Sequence, residues 1–253
     1  MINKFKNLFT STNTNEYDVI ISKVNELYKF APVDFGGGCS LQKALTMAVF
    51  IKEFKLKSSA DIGVYRGRSL FPQALAHKYY SQGIVYGIDP YDNMAAIQND
   101  RPDIKEELIN FADSTNFNQI FEDVSNVINK QGLEGFCELI RKPSSDAKFH
   151  FIETNTKLGL VHIDGNHDTA FVIQDVNDYL PLVQDGGIIV LDDVSWESVK
   201  PALNLLHTQC EFIGDIIDYQ NDFAVFIKKG SQEQQDLAKT LFKSIKNHKY
   251  PII

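Results

Sequence analysis

The chain alternates short apolar runs with stretches of helical periodicity from Ser59 onwards. Continuous apolar runs are typical of buried strands, whereas apolar positions spaced three and four residues apart predict helices. Strands that alternate with helices predict a parallel sheet covered on both faces, which is a doubly wound α/β fold. The predicted strands are 60–64, 84–88, 136–140, 158–163, 188–191, 210–217 and 223–227.

Helical patterns also flank this α/β region. Apolar spacing predicts helices over 19–28 and 41–54, separated by the glycine-rich loop PVDFGGGCS, and a last helix that contains Leu237, Leu241 and Ile245. The polar, mostly helical segment 91–131 joins the second and third strands, and insertions of this length often form lids or substrate contacts. We expect one domain overall, built from an N-terminal helical extension (1–57), the α/β unit (58–230) and a C-terminal helix (231–253).

Composition excludes several classes of protein. Apolar residues make up 43% of the chain and charged residues 23%, which are ordinary values for a globular protein. Acidic residues outnumber basic ones by 33 to 25, and the net charge of −8 argues against binding nucleic acid or an anionic membrane through bulk charge. Three separated cysteines, without a signal-peptide or membrane-spanning pattern, predict a soluble protein of the reducing cytoplasm.

A glycine-containing turn, DIGVYRGRS at 61–69, joins the first strand to the next helix. Glycines here allow close approach of a ligand, and the helix start offers free N–H groups. The spacing departs from G-x-G-x-x-G and favours a nucleoside without a pyrophosphate, although a tight turn that needs glycine only for its geometry remains the alternative. Asp89, at the end of the second strand, could accept hydrogen bonds from two ribose hydroxyls, or could be an ordinary loop residue.

Acidic residues follow the fourth and fifth predicted strands. Asp164 comes after LGLVHI, and Asp192 and Asp193 come after GGIIVL. Parallel strands bring their carboxyl ends to one edge of the sheet, and three carboxylates there need a compensating charge. A divalent cation with oxygen ligands, Mg²⁺ above all but also Mn²⁺ or Fe²⁺, would supply it. The alternative is that these aspartates only cap a helix or occupy a turn.

Two histidines flank Asp164. His167 lies three residues later and could act as a general base, although a surface histidine near a helix start is the alternative. Asp168 is the natural N-cap of that helix. His162 shares a strand face with Asp164, and we expect a satisfied core residue, or one that supports a ligand, rather than a ligand.

The stretches DIGVYRGRS, YGID, HIDGNHD and DGGIIVLDD resemble those of class I S-adenosylmethionine-dependent O-methyltransferases. More narrowly, the chain is similar to the divalent-metal-dependent group that includes catechol O-methyltransferase and the macrocin-type sugar O-methyltransferases. The resemblance covers about 59–227 and implies a Rossmann-like sheet of about seven strands with the last strand antiparallel. It makes 58–230 the S-adenosylmethionine-binding unit and implies a homo-oligomer.

Site residues can be carried over from the resemblance position by position. Lys142 departs from the family, because a glycine of G-x-S usually stands there, beside the adenine. Asp164, Asp192 and Asp193 match the metal ligands. The remaining matches are to parts of the cofactor: the methionine chain for Gly63 and Tyr65, its amino group for Asp61, its carboxylate for Ser69, the ribose for Asp89 and the adenine for Ser144.

Two features lean towards the sugar enzymes, namely the paired acids Asp192-Asp193 and a histidine rather than a lysine at position 167. In the implied reaction the metal chelates two neighbouring hydroxyls of the acceptor, and His167 takes the proton as one oxygen attacks the sulfonium methyl. The chain is rich in Lys, Asn and Ile, which is typical of proteins from A/T-rich bacterial genomes. This composition favours a nucleotide-linked sugar or a precursor of a surface polysaccharide as the acceptor. A catechol-like acceptor and, from another class, an NAD-dependent oxidoreductase are the alternatives.

Overall fold

The structure, a computed structural model, describes residues 15–33, 38–218 and 221–247. Seven strands form one sheet in the order β3-β2-β1-β4-β5-β7-β6. The first five strands run parallel, and β7 is antiparallel to both of its neighbours. The predicted Rossmann-like fold, with its last strand antiparallel, is confirmed. The strands are β1 (Ser58–Ile62), β2 (Ile84–Ile88), β3 (Cys137–Ile140), β4 (Leu158–Ile163), β5 (Val183–Asp192), β6 (Glu211–Asp218) and β7 (Asn221–Ile227).

Helices cover both faces of the sheet and form two apolar cores. One core packs α1, α2, α3, α5 and α9 against the sheet, and the other packs α6, α7 and α8 against the opposite face. None of the helices in the described part of the chain is both long and apolar enough to cross a membrane. The helices are α1 (Asn15–Tyr28), α2 (Leu41–Glu53), α3 (Leu70–Ala76), α4 (Lys105–Ser114), α5 (Phe117–Lys130), α6 (Ser144–Glu153), α7 (Thr169–Tyr179), α8 (Lys200–Gln209) and α9 (Gln232–Lys246).

Several element boundaries differ from the sequence prediction; β1, for example, is Ser58–Ile62 rather than 60–64, and two other differences have a clear physical reason. Strand β5 begins at Val183 rather than 188, because Val183 pairs with Leu158 ahead of an irregularity in the register. Helix α8 begins at Lys200 rather than 196, and Pro201 lies in its first turn. A proline fits there because the first turn has no partner for its N–H group.

The order of the strands creates a crevice between β1 and β4. The chain leaves β1 towards one face of the sheet and leaves β4 towards the other, so the loops that follow them diverge. Ligands of doubly wound folds bind at such a switch point, beyond the carboxyl ends of the strands. All the predicted site residues except Ser144 and Ser69 lie at the ends of β1, β2, β4 and β5 or in the turns that follow.

Gly63 is required by the close approach of the turns after β1 and β4. Its φ is +87°, and an added Cβ would lie 1.9 Å from the backbone oxygen of Asp164. We expect Gly63→Ala to lower the free energy of unfolding by at least about 2 kcal/mol, since a left-handed backbone and a backbone clash both oppose it. Urea unfolding measures this, with Gly135→Ala as control, because nothing lies within 4 Å of that position. Equal stability of the two variants would contradict the role of Gly63.

Candidate active site

Asp164 and Asp192 lie side by side at the carboxyl edge of the sheet. Strand pairing sets Ile163 beside Leu191, so the two aspartates that follow are level with each other. Asp192 is buried. Burial and the charge of Asp192 raise the pKa of Asp164 to about 7. The predicted approach of these two carboxylates is therefore present, and it creates the charge problem that sequence reasoning anticipated.

Lys43 of α2 supplies one compensating charge. Its side chain is only 4% exposed, and Nζ forms an ion pair with Oδ2 of Asp192. Burial alone would raise the pKa of Asp192, but Lys43 brings it below its usual value. Sequence reasoning missed Lys43, because it precedes Asp192 by 149 positions and belongs to no motif. Ser40 caps the start of the helix that carries it, and the Ser40 side chain accepts a hydrogen bond from the backbone N–H of Lys43.

His167 supplies a second compensating charge. Its Nε2 lies 3.3 Å from Oδ1 of Asp164 and 3.2 Å from Oδ2 of Asp193. Burial would lower the pKa of His167, but these two carboxylates raise it to about 9. The charged form of the imidazole is therefore favoured in this arrangement. The predicted base role requires the neutral ring.

Asp193 points away from Asp192 because its backbone is left-handed, with φ at 50°. Its N–H donates to the backbone oxygen of Asp222 at 2.8 Å. The three predicted metal ligands are consequently divided between two groups, His162–Asp164–Asp192 and Asp164–His167–Asp193. Within each group the ligand atoms lie within 4.8 Å of one another.

These residues fit a divalent cation. Oδ1 of Asp192 is buried and has no hydrogen-bond partner among the described residues. An unsatisfied carboxylate oxygen at this depth is costly, and a cation would satisfy it. In the described part of the chain these three carboxylates form ion pairs with two cationic side chains, Lys43 and His167, so a further positive charge is electrostatically favourable. Asp164 belongs to both groups and is the common ligand.

Asp61 lies beneath the glycine turn in a closed network of side chains. It is fully buried and accepts hydrogen bonds from Oγ of Ser69 at 2.7 Å and from Nε2 of Gln73 at 3.0 Å. Its Oδ1 also lies 2.7 Å from Nδ1 of His162. Asp61 and Ser69 thus contact each other, and their roles towards the cofactor amino and carboxylate groups stay predictions.

Asp89 and Tyr65, two of the predicted cofactor residues, contact each other. Asp89 accepts the backbone N–H of Tyr65 on Oδ2 at 2.9 Å and that of Tyr91 on Oδ1 at 2.7 Å. Burial raises the pKa of Asp89, against the effect of these backbone donors. A carboxylate held only by neutral donors has acceptor capacity left, which fits the two hydroxyls of a ribose.

Ser144 is the first residue of α6 and faces α7. Its hydroxyl donates to Asp175, and its backbone oxygen accepts the hydroxyl of Tyr179 at 2.9 Å. Lys142, where the family has glycine, is exposed. The adenine contact of Ser144 therefore stays a prediction.

Hydrogen bonds hold the loop before α4, at residues 95–100, against the turn that carries His167. Asn166 donates to the backbone oxygens of Ala95 and Ile97, and Asp168 accepts the backbone N–H groups of Asn99 and Asp100. Asp168 does occupy the N-cap position of α7, but its side chain makes no cap hydrogen bond there. The expected capping interaction is replaced by this contact between loops.

Sequence reasoning missed two residues beside His167 and a third that packs against one of them. Nε2 of Gln98 lies 3.3 Å from Nδ1 of His167, and the ring of Trp196 lies 5.1 Å from its ring. The guanidinium of Arg101 lies 4.0 Å from the centre of the Trp196 ring. In the sequence, the one hint of this group of side chains is that a tryptophan, Trp196, closely follows the Asp192-Asp193 pair.

A seven-stranded Rossmann-like sheet with an antiparallel last strand is the fold of the methyltransferase class. Residues 60–194, more than half of the chain, match the family described as Methyltransferase domain. The chain belongs to this family. No curated protein matches the chain by sequence.

Solved structures share the fold at low identity. The cofactor-bound protein Rv0187 from MTB is 14% identical, with a TM-score of 0.60 over 91% of this chain and 97% of its own. An O-methyltransferase from Bacillus cereus in complex with SAH is 12% identical, with a TM-score of 0.60 over 90% and 100%. TomG from Streptomyces achromogenes, an O-methyltransferase of tomaymycin synthesis in complex with SAM, is 12% identical, with a TM-score of 0.54 over 83% and 90%.

Proposed function

We propose that this protein is an S-adenosylmethionine-dependent O-methyltransferase. The observation that carries the proposal is the position of Asp89, which is held by the glycine turn at the same sheet edge as the Asp164–Asp192 pair. A nucleoside site therefore adjoins a cation-competent acidic site. Similar folds that include O-methyltransferases in complex with SAH or SAM support the same conclusion.

The acceptor in this proposal is a sugar hydroxyl, in a nucleotide-linked sugar or a precursor of a surface polysaccharide. Support comes from the resemblance of His167 and of the acid pair Asp192-Asp193 to the macrocin-type enzymes. Asp164, Asp192 and Asp193 are the proposed ligands of a divalent cation, with Mg²⁺, Mn²⁺ and Fe²⁺ as candidates. When bound, such an ion acidifies a neighbouring hydroxyl and orients it.

His167 is the proposed general base. Its imidazolium form is favoured here by Asp164 and Asp193, and any added positive charge beside these carboxylates favours the neutral ring. The neutral ring accepts the proton of the acceptor hydroxyl, the oxygen forms a bond to the methyl carbon, and the carbon–sulfur bond breaks. The products are a methyl ether and S-adenosylhomocysteine. Gln98, beside Nδ1, orients the ring.

Calorimetric titration of the EDTA-stripped protein with S-adenosylhomocysteine tests the cofactor, with NADH for comparison. We expect saturable one-site binding of the first and none of the second. Binding of NADH alone would overturn the proposal in favour of an oxidoreductase. A transfer assay with methyl-labelled cofactor, added metals and a panel of nucleotide sugars and catechols then tests the acceptor. Labelling of catechols alone would overturn the sugar assignment.

Asp89→Asn is expected to weaken S-adenosylhomocysteine binding by about 10–100-fold, which is the range for losing hydrogen bonds to a charged group. Each oxygen of Asp89 accepts a backbone N–H, so an amide must turn its NH₂ group towards one of these donors. Calorimetry measures the change. Asp113→Asn, on the exposed face of α4, is the matched control and should bind normally. Equal affinity in both variants would remove the ribose role of Asp89.

A further inference from the structure

His162 has one ring nitrogen held and one left over. The residue is fully buried in β4, and Nδ1 lies 2.7 Å from Oδ1 of Asp61. Nε2 is buried and has no hydrogen-bond partner within residues 15–33, 38–218 and 221–247. A buried polar atom left in this way costs about 1–3 kcal/mol. His162 was expected to be a satisfied core residue or one that supports a ligand, but Nε2 is not satisfied by the described chain.

The neighbours of His162 show what the nitrogen can bind. His162 forms a group with Asp164 and Asp192 whose ligand atoms lie within 4.8 Å of one another. Asp61 engages Nδ1, so Nε2 is the nitrogen left for a cation. In Asp192, likewise, Lys43 holds Oδ2 and leaves Oδ1 buried without a partner. Nε2 of His162 and Oδ1 of Asp192 are thus both unsatisfied, and both residues lie beside Asp164.

The ring of His162 is also held in a fixed orientation by the residue that contacts its other nitrogen. A histidine that binds a metal characteristically donates its other ring N–H to a carboxylate, which fixes the tautomer and the plane of the ring. Asp61 occupies that place for His162, and Ser69 and Gln73 in turn hold Asp61. The hydrogen-bonded network of Asp61, Ser69 and Gln73 therefore has the arrangement that supports a metal-binding histidine.

We propose that His162, through Nε2, is a ligand of the divalent cation together with Asp164 and Asp192. This inference rests on the metal-dependent part of the proposed function. It replaces Asp193, which belongs to the other group, with His162 and so changes the donor set from all oxygen to mixed nitrogen and oxygen. Mg²⁺ prefers oxygen ligands, whereas imidazole favours transition metals such as Fe²⁺. The site therefore binds Mn²⁺ and Fe²⁺ in preference to Mg²⁺. His167 stays outside the coordination sphere, beside Asp164 and Asp193.

Pulsed electron paramagnetic resonance on the Mn²⁺-loaded full-length protein tests this directly, because a coordinated imidazole nitrogen couples to the Mn²⁺ electron spin. We expect nitrogen coupling in the wild type and in His167→Gln, and its loss in His162→Gln. Calorimetry should show Mn²⁺ affinity reduced by more than about 10–100-fold in His162→Gln, because that range is typical of losing a group that only supports a ligand. The preference for Mn²⁺ over Mg²⁺ should shrink in the same variant and persist in His167→Gln.

The outcomes separate this inference from the proposed function. Mn²⁺ binding without nitrogen coupling, or coupling lost only in His167→Gln, overturns the His162 assignment and leaves a metal-dependent methyltransferase. Absent Mn²⁺ binding with normal S-adenosylhomocysteine binding overturns both the assignment and metal dependence. If His162→Gln does not fold, the wild type and His167→Gln decide, since the candidate groups in the described chain contain these two histidines alone.

Discussion

Asp164→Asn is expected to reduce methyl transfer by at least about a thousandfold, while S-adenosylhomocysteine affinity changes by less than about threefold. Asp164 belongs to both groups of potential metal ligands and also contacts His167. An isosteric amide removes its charge and one good ligand, so cation binding and the position of the base are lost together. Asp89, which we assign to the ribose, lies at the end of another strand and keeps its own contacts.

Single-turnover transfer of a labelled methyl group measures the first effect, and calorimetry with S-adenosylhomocysteine measures the second. Mn²⁺ titration adds a readout that needs no acceptor, and we expect no saturable binding in the variant. Asp185→Asn is the control, because that side chain is 68% exposed and lies near the start of β5, at the opposite end of the strand from Asp192. Turnover above a tenth of the wild-type rate in Asp164→Asn would show that the acidic cluster is not the reaction centre.

Much of this site was predictable because it follows from the order of strands and their ends. Asp164 and Asp192 each follow a continuous apolar run, and strands of that type are parallel and buried. Their carboxyl ends must meet at one edge of the sheet, as the pairing of β4 with β5 shows. Asp89 and Tyr65 follow the same rule for β1 and β2.

The charges that balance the site were not predictable in the same way. Lys43 comes from a helix ahead of the sheet, and nothing in its local sequence distinguishes it from a surface lysine of an amphipathic helix. A cation was inferred from the sequence because three carboxylates had no compensating positive charge. In the structure, Lys43 and His167 already supply part of that positive charge. Tertiary packing brings them there, which no periodicity records.

Side-chain direction was the other unpredictable factor. Asp192 and Asp193 are adjacent in sequence, but the left-handed backbone of Asp193 turns it to His167 while Asp192 faces Lys43. Asp168 shows the same limit, since its N-cap position was predictable and its bonds to the 99–100 backbone were not. Local pattern fixes where a residue lies along an element, whereas loop contacts decide which partner it meets.

Lys43→Met is expected to lower the free energy of unfolding of the metal-free protein by about 3–5 kcal/mol at neutral pH. Methionine is close in volume, so packing changes little, but the buried Asp192 loses its ion-pair partner. Urea unfolding in EDTA measures the loss. Lys239→Met is the matched control, because Lys239 pairs with Glu211 at the surface with both side chains nearly half exposed, and such pairs contribute little.

A second substitution separates charge from packing. Lys43→Met combined with Asp192→Leu should recover most of the lost stability, since no unpaired charge then remains buried. If the double variant is as unstable as Lys43→Met, or if Lys43→Met matches Lys239→Met, the ion pair is not what holds Asp192.

The same variant connects stability to the cation site. A ligand that binds only the folded state stabilises it according to its affinity, and a cation beside Asp192 replaces the charge that Lys43→Met removes. Added Mn²⁺ should therefore raise the unfolding midpoint of Lys43→Met more than that of the wild type, in which Lys43 repels the incoming ion across Asp192. A smaller rise in the variant would mean that Lys43 assists the cation by orienting Oδ1 of Asp192 rather than competing with it for that carboxylate's charge.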